Sequence, residues 1–167
     1  TYNRLDLSWH TGIQMGAASA YGGTRIYNNS TFTGTQIVSI GDGDNKFRCI
    51  DDVIAYSSDK RLKENITNIP NALDKIKQIN GVYFDWKDET KDLGFEPSQK
   101  HDVGVIAQEI QNILPEVVTL APFDYELGKS KSGENYLTVR YEKLVPLLIE
   151  AIKEQQKQID ELKAKLS

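Results

Sequence analysis

"VPLLIEAIKEQQKQIDELKAKL", residues 145–166, decides how this chain is read. Val145, Leu148, Ile152, Gln155, Ile159, Leu162 and Leu166 follow one another in alternating steps of three and four, the heptad spacing of a coiled-coil seam. Val, Ile, Ile and Leu fill one core position; Leu, Gln and Leu fill the other. A helix lying on its own domain would carry a wider apolar stripe, whereas beyond Ile152 the flanking residues are Gln, Lys, Glu and Asp. Leu147 and Ile149 widen the stripe only at its start. The pattern therefore predicts a helix over 142–166 that leaves the globular body near its beginning and continues into an oligomer through the 145–166 seam. Gln155 is a register device that lowers stability, and the seam residues bias the number of chains without fixing it.

Upstream of that helix, residues 59–144 alternate between helical and extended patterns. "IPNALDKIKQI" (69–79) has Pro70 near a first-turn position, Leu73 and Ile76 on a common face and Asn80-Gly81 as a stop, which predicts a short helix. "VYFDWK" (82–87) alternates as a strand does, and "DETKDLGFEPSQK" (88–100) is a polar loop. "DVGVIA" (102–107) predicts a buried strand leading into a helix, "AQEIQNIL" (107–114), that Pro115 ends. "EVVTL" (116–120) and "YLTV" (136–139) are two more strands with a polar loop between them. The class is α+β.

Residues 1–58 have a different composition. They hold seven of the twelve glycines, none of the five prolines and a single lysine, Lys46. Turn signals at Gly22-Gly23, Asn28-Asn29-Ser30 and Gly41–Asn45 separate the β-prone pieces "GTRIY", "TQIVSI", "KFRCI" and "DVIAY". The apolar residues are thinly spread, so such strands bury little in a single chain, and association between copies would remedy that. A domain boundary falls near residue 58.

A length of 167 residues suffices for one core or two small ones. The net charge of −4 and pI near 5.2 remove the attraction that phosphate backbones and anionic lipid exert on basic proteins, so nucleic acid and membrane are not expected partners. No run approaches the roughly 18 apolar residues of a membrane helix and no signal peptide opens the chain, which reads as soluble. The start at Thr1 implies excision from something longer. Cys49 cannot form an internal disulfide; its flanks, Phe47 and Ile50, suit a thiol buried in a strand.

At the boundary stands Ser57-Ser58-Asp59-Lys60-Arg61-Leu62-Lys63. One reading makes Ser57 or Ser58 a helix N-cap, although no Glu or Gln follows three residues later and cations in a first turn oppose the helix dipole. The other takes serine as nucleophile and lysine as base. Such a lysine must be neutral, through burial or through neighbouring positive charge, for which Arg61 is the auxiliary. Ser58 and Lys63 are five apart, so they share a face of neither helix nor strand and meet only across a turn or between chains.

"SSDKRLKENI" (57–66), "GVYFDW" (81–86), "VGVIAQEIQNILPEVV" (103–118), "YLTVRYEKLVPLLIEAIKEQ" (136–155) and the terminal coiled coil, in that order, closely resemble the endosialidase-type intramolecular chaperone domain found at the C-termini of phage tailspikes, tail fibres and neck appendages. The resemblance runs from about residue 57 to the end. It implies a homotrimeric chaperone, residues 59–167, that helps a fused fibre fold and then detaches by autoproteolysis. It further implies Ser58 and Lys63 as the catalytic Ser/Lys dyad of a single-turnover serine peptidase, with Ser58-Asp59 as the bond cut. Residues 1–58 become the end of the β-rich client. No cofactor or metal is implied; the partners are two further copies and the fused segment. Assembly is expected in the host bacterial cytoplasm, with the fibre kept in the virion and the chaperone released. The alternative is a trimerisation module that stays attached and never cuts.

Ring size constrains the chemistry. Attack by Ser58 on its own carbonyl would close a four-membered ring, whereas attack on the Ser57 carbonyl closes a five-membered one and cuts one bond earlier. A cut after Ser58 therefore calls for a serine from a neighbouring chain or an activated water.

Other candidates are weaker. Asp42, Asp44 and Asn45 lack the remaining spacing of a calcium loop and read as a hairpin turn. Asp51 and Asp52, as adjacent strand residues, face opposite sides and cannot pair for glycoside hydrolysis. His10 reads as surface and His101 as a hydrogen-bonding residue at the start of a strand. Trp9 and Trp86 read as packing residues. The sequons at Asn28, Asn29 and Asn65 carry no meaning in a phage protein made in bacteria.

Overall fold

Thr24–Tyr27 (β1), Gln36–Ile40 (β2) and Phe47–Cys49 (β3) form an antiparallel meander in the order β1-β2-β3. These strands belong to a computed structural model that describes residues 15–28, 34–41, 43, 46–54 and 57–166. The calls at Trp9, His10, Asn29, Asp42, Asp44 and Asn45 fall outside those residues. The chain divides into two units, Thr1–Ser58 and Asp59–Ser167.

In the first unit Ser39, on the central strand, is buried opposite Arg25 and Arg48. Ile26, Ile40, Phe47 and Ile50 expose between 49 % and 63 % of their surface, and among the described residues no apolar side chain of this unit is buried. The backbone ladder, rather than a core, holds these strands. Two expectations change here. Val53 and Ile54 of "DVIAY" form no strand, because no neighbouring edge pairs with them, and Ile54 is 98 % exposed. Asp51 and Asp52 likewise lie beyond β3: Asp51 Oδ1 accepts the Asp52 amide at 2.9 Å and its carbonyl accepts Cys49 Sγ at 3.0 Å. They form a turn, not two faces of a strand. Cys49 is half-buried at the end of β3.

The first α-helix of the second unit, Ala72–Ile76 (α1), is five residues long and lies within the stretch 69–79 where the sequence predicts a short helix. Asn71, at φ 53°, sits in the left-handed region and stops the helix from running back to Pro70. Gly81–Asp85 (β4) pairs antiparallel with His101–Val105 (β5). The polar stretch between them contains a 3₁₀ turn, Asp88–Leu93, that Gly94 ends at φ 76°. Ala107–Ile113 (α2) follows, and Pro115 opens a new 3₁₀ turn as it closes the helix. Val118–Leu120 (β6) pairs with Leu137–Val139 (β9), and the loop between them folds into a hairpin of Tyr125–Glu126 (β7) and Lys129–Ser130 (β8). Val145–Leu166 (α3) is 22 residues long. It starts three residues later than predicted because Tyr141–Leu144 is a 3₁₀ turn, and Pro146, which has no N–H to donate, suits a first helical turn. Mixed helix and strand with a long C-terminal helix is the observed class.

Two small cores meet in this unit. Ala72, Leu147 and Ala151 form one; Ile110, Val117 and Val139 form the other; Ile79 and Leu114 touch both. An aromatic file, Phe84, Trp86, Phe95, Phe123 and Tyr136, runs beside them with ring centroids 4.9–5.5 Å apart. Trp86 is thus a packing residue, and its indole N–H donates to Asp102 at 3.2 Å. His101 opens β5, stacks on Tyr83 and shares a 2.7 Å hydrogen bond with Asp85. Among the described residues no helix is long and apolar enough to cross a membrane.

Candidate functional site

From Ser57 to Asn68 every residue is exposed. Asp59 is the N-cap of a 3₁₀ turn, Lys60–Leu62, with its carboxylate accepting the Arg61 amide at 2.9 Å. The cap is therefore the aspartate and not Ser57 or Ser58. Its side chain reaches the second amide of the turn, and its negative charge offsets the cations that follow. Arg61 also folds back on Asp59, with Nη2 2.6 Å from Oδ2 and Nε 3.1 Å from Oδ1. The Arg61 side chain, and then its backbone amide, hold the Asp59 carboxyl below the usual carboxylate range, and Asp59 raises Arg61 in return. Lys63 ends the turn in extended backbone, its amide donating to the Lys60 carbonyl at 3.1 Å. The peptide bond between Ser58 and Asp59 is the border of the two units. Leu62 and Ile66, apolar and more than half exposed, flank the turn.

The predicted seam lies along α3. Val145, Leu148, Ile152, Ile159, Leu162 and Leu166 expose between 40 % and 88 % of their surface, and Gln155 is exposed among them. Leu147, Ala151 and Glu154 face α1 instead, roughly 120° round the helix at ~100° per residue. The helix leaves the body only after Glu154, about one turn later than the sequence implies, since every residue from 155 to 166 is exposed. An isolated helix of fewer than ~12–15 residues is marginal in water, and pairs such as Lys157–Glu161 at 4.0 Å add only a few tenths of a kcal/mol. The overhang is thus a helix with an exposed apolar row and no buried side chain among the described residues 155–166.

Two polar groups escaped the sequence reading. Glu154 accepts the Ala72 amide at 2.9 Å and the Leu73 amide at 2.8 Å, capping α1 from another helix. Asp124, 1 % exposed, accepts the Ser130 hydroxyl at 2.8 Å, the Ser132 amide at 2.7 Å and the Tyr136 amide at 2.9 Å, and so ties down the β7–β8 hairpin. Burial pushes its carboxyl up, but the bonds from Ser132, Ser130 and Tyr136 outweigh that and hold it at about 2.

Residues 58–119, starting at the serine of the junction, match the family model described as chaperone of endosialidase. Over this stretch the chain is similar to the endosialidase-type chaperone domain. The chain is 38% identical over 109 residues to the long tail fiber protein Gp37 of Enterobacteria phage K3, covering 65% of this chain and 8% of that protein. It is equally similar, 38% over 109 residues, to Gp37 of Enterobacteria phage T2, of which the match covers 7%. The myelin regulatory factor homolog 1 of Caenorhabditis elegans is 38% identical over 68 residues, which is 39% of this chain and 7% of that one. The chain thus spans less than a tenth of the length of these relatives.

Proposed function

We propose that residues 59–167 are an intramolecular chaperone that trimerises through the α3 seam, aids folding of a phage fibre fused in front of it, and then frees itself by a single self-cleavage at Ser58-Asp59. The observation that carries this reading is a heptad row of exposed apolar side chains that no described residue covers, on the long helix that follows the chaperone-type match at 58–119. Residues 1–58 are then the end of the client. Their strands bury no apolar side chain among the described residues, as suits a fibre whose chains complete one another's cores. Strand pairing between chains is slow and exposes edges that aggregate, so a clamp that gathers three chains in register helps before the strands interlock. Once interlocked, the fibre is held kinetically and the clamp can leave. Assembly takes place in the host cytoplasm and the fibre goes into the virion.

In the chemistry, Ser58 is the nucleophile and Lys63 its base. A lysine accepts a proton only when neutral, which requires burial or adjacent positive charge. Lys63 is exposed in the single chain, so burial comes from assembly. Cutting then depends on completed association. Ring strain places the attacking serine on a neighbouring chain, or replaces it with an activated water.

The test is a denaturing gel beside sedimentation. Wild type yields a C-terminal piece of 167 − 58 = 109 residues and sediments as a trimer, Ser58→Ala and Lys63→Ala stay whole as trimers, and Ile152→Asp with Ile159→Asp stays whole as a monomer. Intact trimers of uncut wild type would replace this reading with a permanently attached trimerisation foot; monomers that cut at the wild-type rate would remove the link between assembly and cleavage.

A further inference from the structure

α1 has no cap of its own. Asn71 stands in the left-handed region and makes no side-chain cap bond, so the first two amides of the helix depend on Glu154 of α3, 82 and 81 residues further along the chain. One turn before Glu154, the Glu150 carboxylate takes the Asn68 side-chain amide at 3.4 Å. Two acidic residues on one helix therefore hold the stretch from Asn68 to Leu73. Lys63 is five residues ahead of Asn68, at most about 17 Å of chain even when fully extended.

Glu154 has a second neighbourhood. It follows Ile152 and precedes Gln155, both seam residues, and is the last half-buried residue of α3, those from 155 to 166 being exposed. Beyond it every residue of α3 to 166 is exposed, and an isolated helix of about that length is marginal in water, so the turn that carries the carboxylate gains order when the helix is held from outside. When the seam closes on Ile152 and Gln155, that turn is immobilised from its other side.

We propose that Glu154 is a positioning residue for self-cleavage: by capping α1 from the seam helix, through bonds already made in the single chain, it ties down the segment 59–71, and with it Lys63, and does so more firmly once the seam has closed. This rests on the reading of Ser58 and Lys63 as the cleaving pair. The coupling is mechanical and uses a carboxylate with two acceptor oxygens, one for each amide. Glutamine keeps one of those acceptors and alanine keeps neither.

The experiment uses the full chain with Glu154→Ala, Glu154→Gln and, as a comparison, Leu73→Ala, which weakens the contact between α1 and α3 without touching either hydrogen bond. Cleavage is followed on gels at concentrations where sedimentation gives the same oligomer as wild type, and amide hydrogen exchange is followed over residues 60–73. Glu154→Ala is expected to slow cleavage roughly tenfold to a hundredfold, the loss typical of a displaced catalytic group. Glu154→Gln falls between it and wild type, and Leu73→Ala slows cleavage less at an equal drop in thermal midpoint. Amide protection falls from Leu73 back to Lys63. Wild-type cleavage by Glu154→Ala, or equal slowing by Leu73→Ala at equal stability loss, overturns the proposal. If wild type itself does not cut, the Ser/Lys reading falls and exchange alone decides: unchanged protection over 60–70 in Glu154→Ala overturns the positioning claim, and lost protection upholds it.

Discussion

Leu147 is fully enclosed against Ala72, while its neighbour in sequence, Leu148, is 45 % exposed. Adjacent leucines on one helix thus serve two different surfaces, one inside the chain and one on the heptad seam. Leu147→Ala should lower the stability of the unit by about 2–5 kcal/mol at any protein concentration, the usual result of emptying a buried leucine site. Leu148→Ala should barely change a single chain and should weaken only the concentration-dependent part of the melting curve. Chemical denaturation over a hundredfold range of concentration, which shifts association by mass action and leaves the intrachain core unaffected, separates the two.

Asp124 makes the unit sensitive to acid. Its folded value, about 2, lies below the ordinary aspartate value of about 3.9, so the ionised form is favoured by folding. The stability it contributes is complete above about pH 4 and is lost as pH falls through the folded value of about 2. Asp124→Asn presents an amide to donors that need an acceptor. It should lower the thermal midpoint at pH 7 by several degrees and flatten the acid side of the stability curve, as read from melts between pH 2 and 7. An unchanged acid limb would assign the acid sensitivity to other carboxylates.

The long helix and its exposed apolar row were legible in the sequence because heptad spacing is a local, one-dimensional signal that does not depend on what the helix touches. β4, β5 and α2 were legible for the same reason, each carrying its own period and its own stop. Asp124 and Glu154 were not. A lone aspartate in a polar loop and a glutamate on a charged helix look solvated until partners from Ser130 to Tyr136, or from Ala72 and Leu73, are brought to them by the fold. The turn-rich "SKSGEN" after Asp124 was the only available hint, since serines and an Asn-containing turn have amides to donate. The failure at "DVIAY" is of the converse kind: β-prone residues make a strand only where an edge is free to pair, and sequence does not count edges. At the junction, the residue types were readable, whereas the Asp59 cap depended on which of three adjacent polar residues reached the Arg61 amide.

Gln155 should behave as a seam residue whose polarity selects register. Gln155→Leu is expected to raise the thermal midpoint of the assembled protein, since an apolar side chain replaces a polar one among Leu148, Ile152, Ile159 and Leu162. The same change should broaden the range of assemblies, because a uniformly apolar seam tolerates slipped pairing and other chain numbers. Sedimentation of the variant as a single species of unchanged mass, with no gain in stability, would place Gln155 outside the seam.

Arg61 offers a choice between two roles that differ in their pH signature. As a free cation near the proposed base it would favour the neutral form of a lysine, and its loss would move the rise of the cleavage rate to higher pH. The guanidinium instead lies on Asp59, 2.6 Å from Oδ2, so its charge is already matched by the carboxylate that caps the turn leading to Lys63. Arg61→Ala should therefore slow cleavage by only a few-fold, since an exposed ion pair contributes little, and should leave the pH of the rise unchanged. Asp59→Ala removes the cap as well as the ion pair and should slow cleavage more. Rates measured between pH 6 and 10 on both variants decide the matter: an alkaline displacement in Arg61→Ala alone would show that the arginine acts on the lysine, and pH-independent losses in both, larger in Asp59→Ala, would show that it acts through the aspartate.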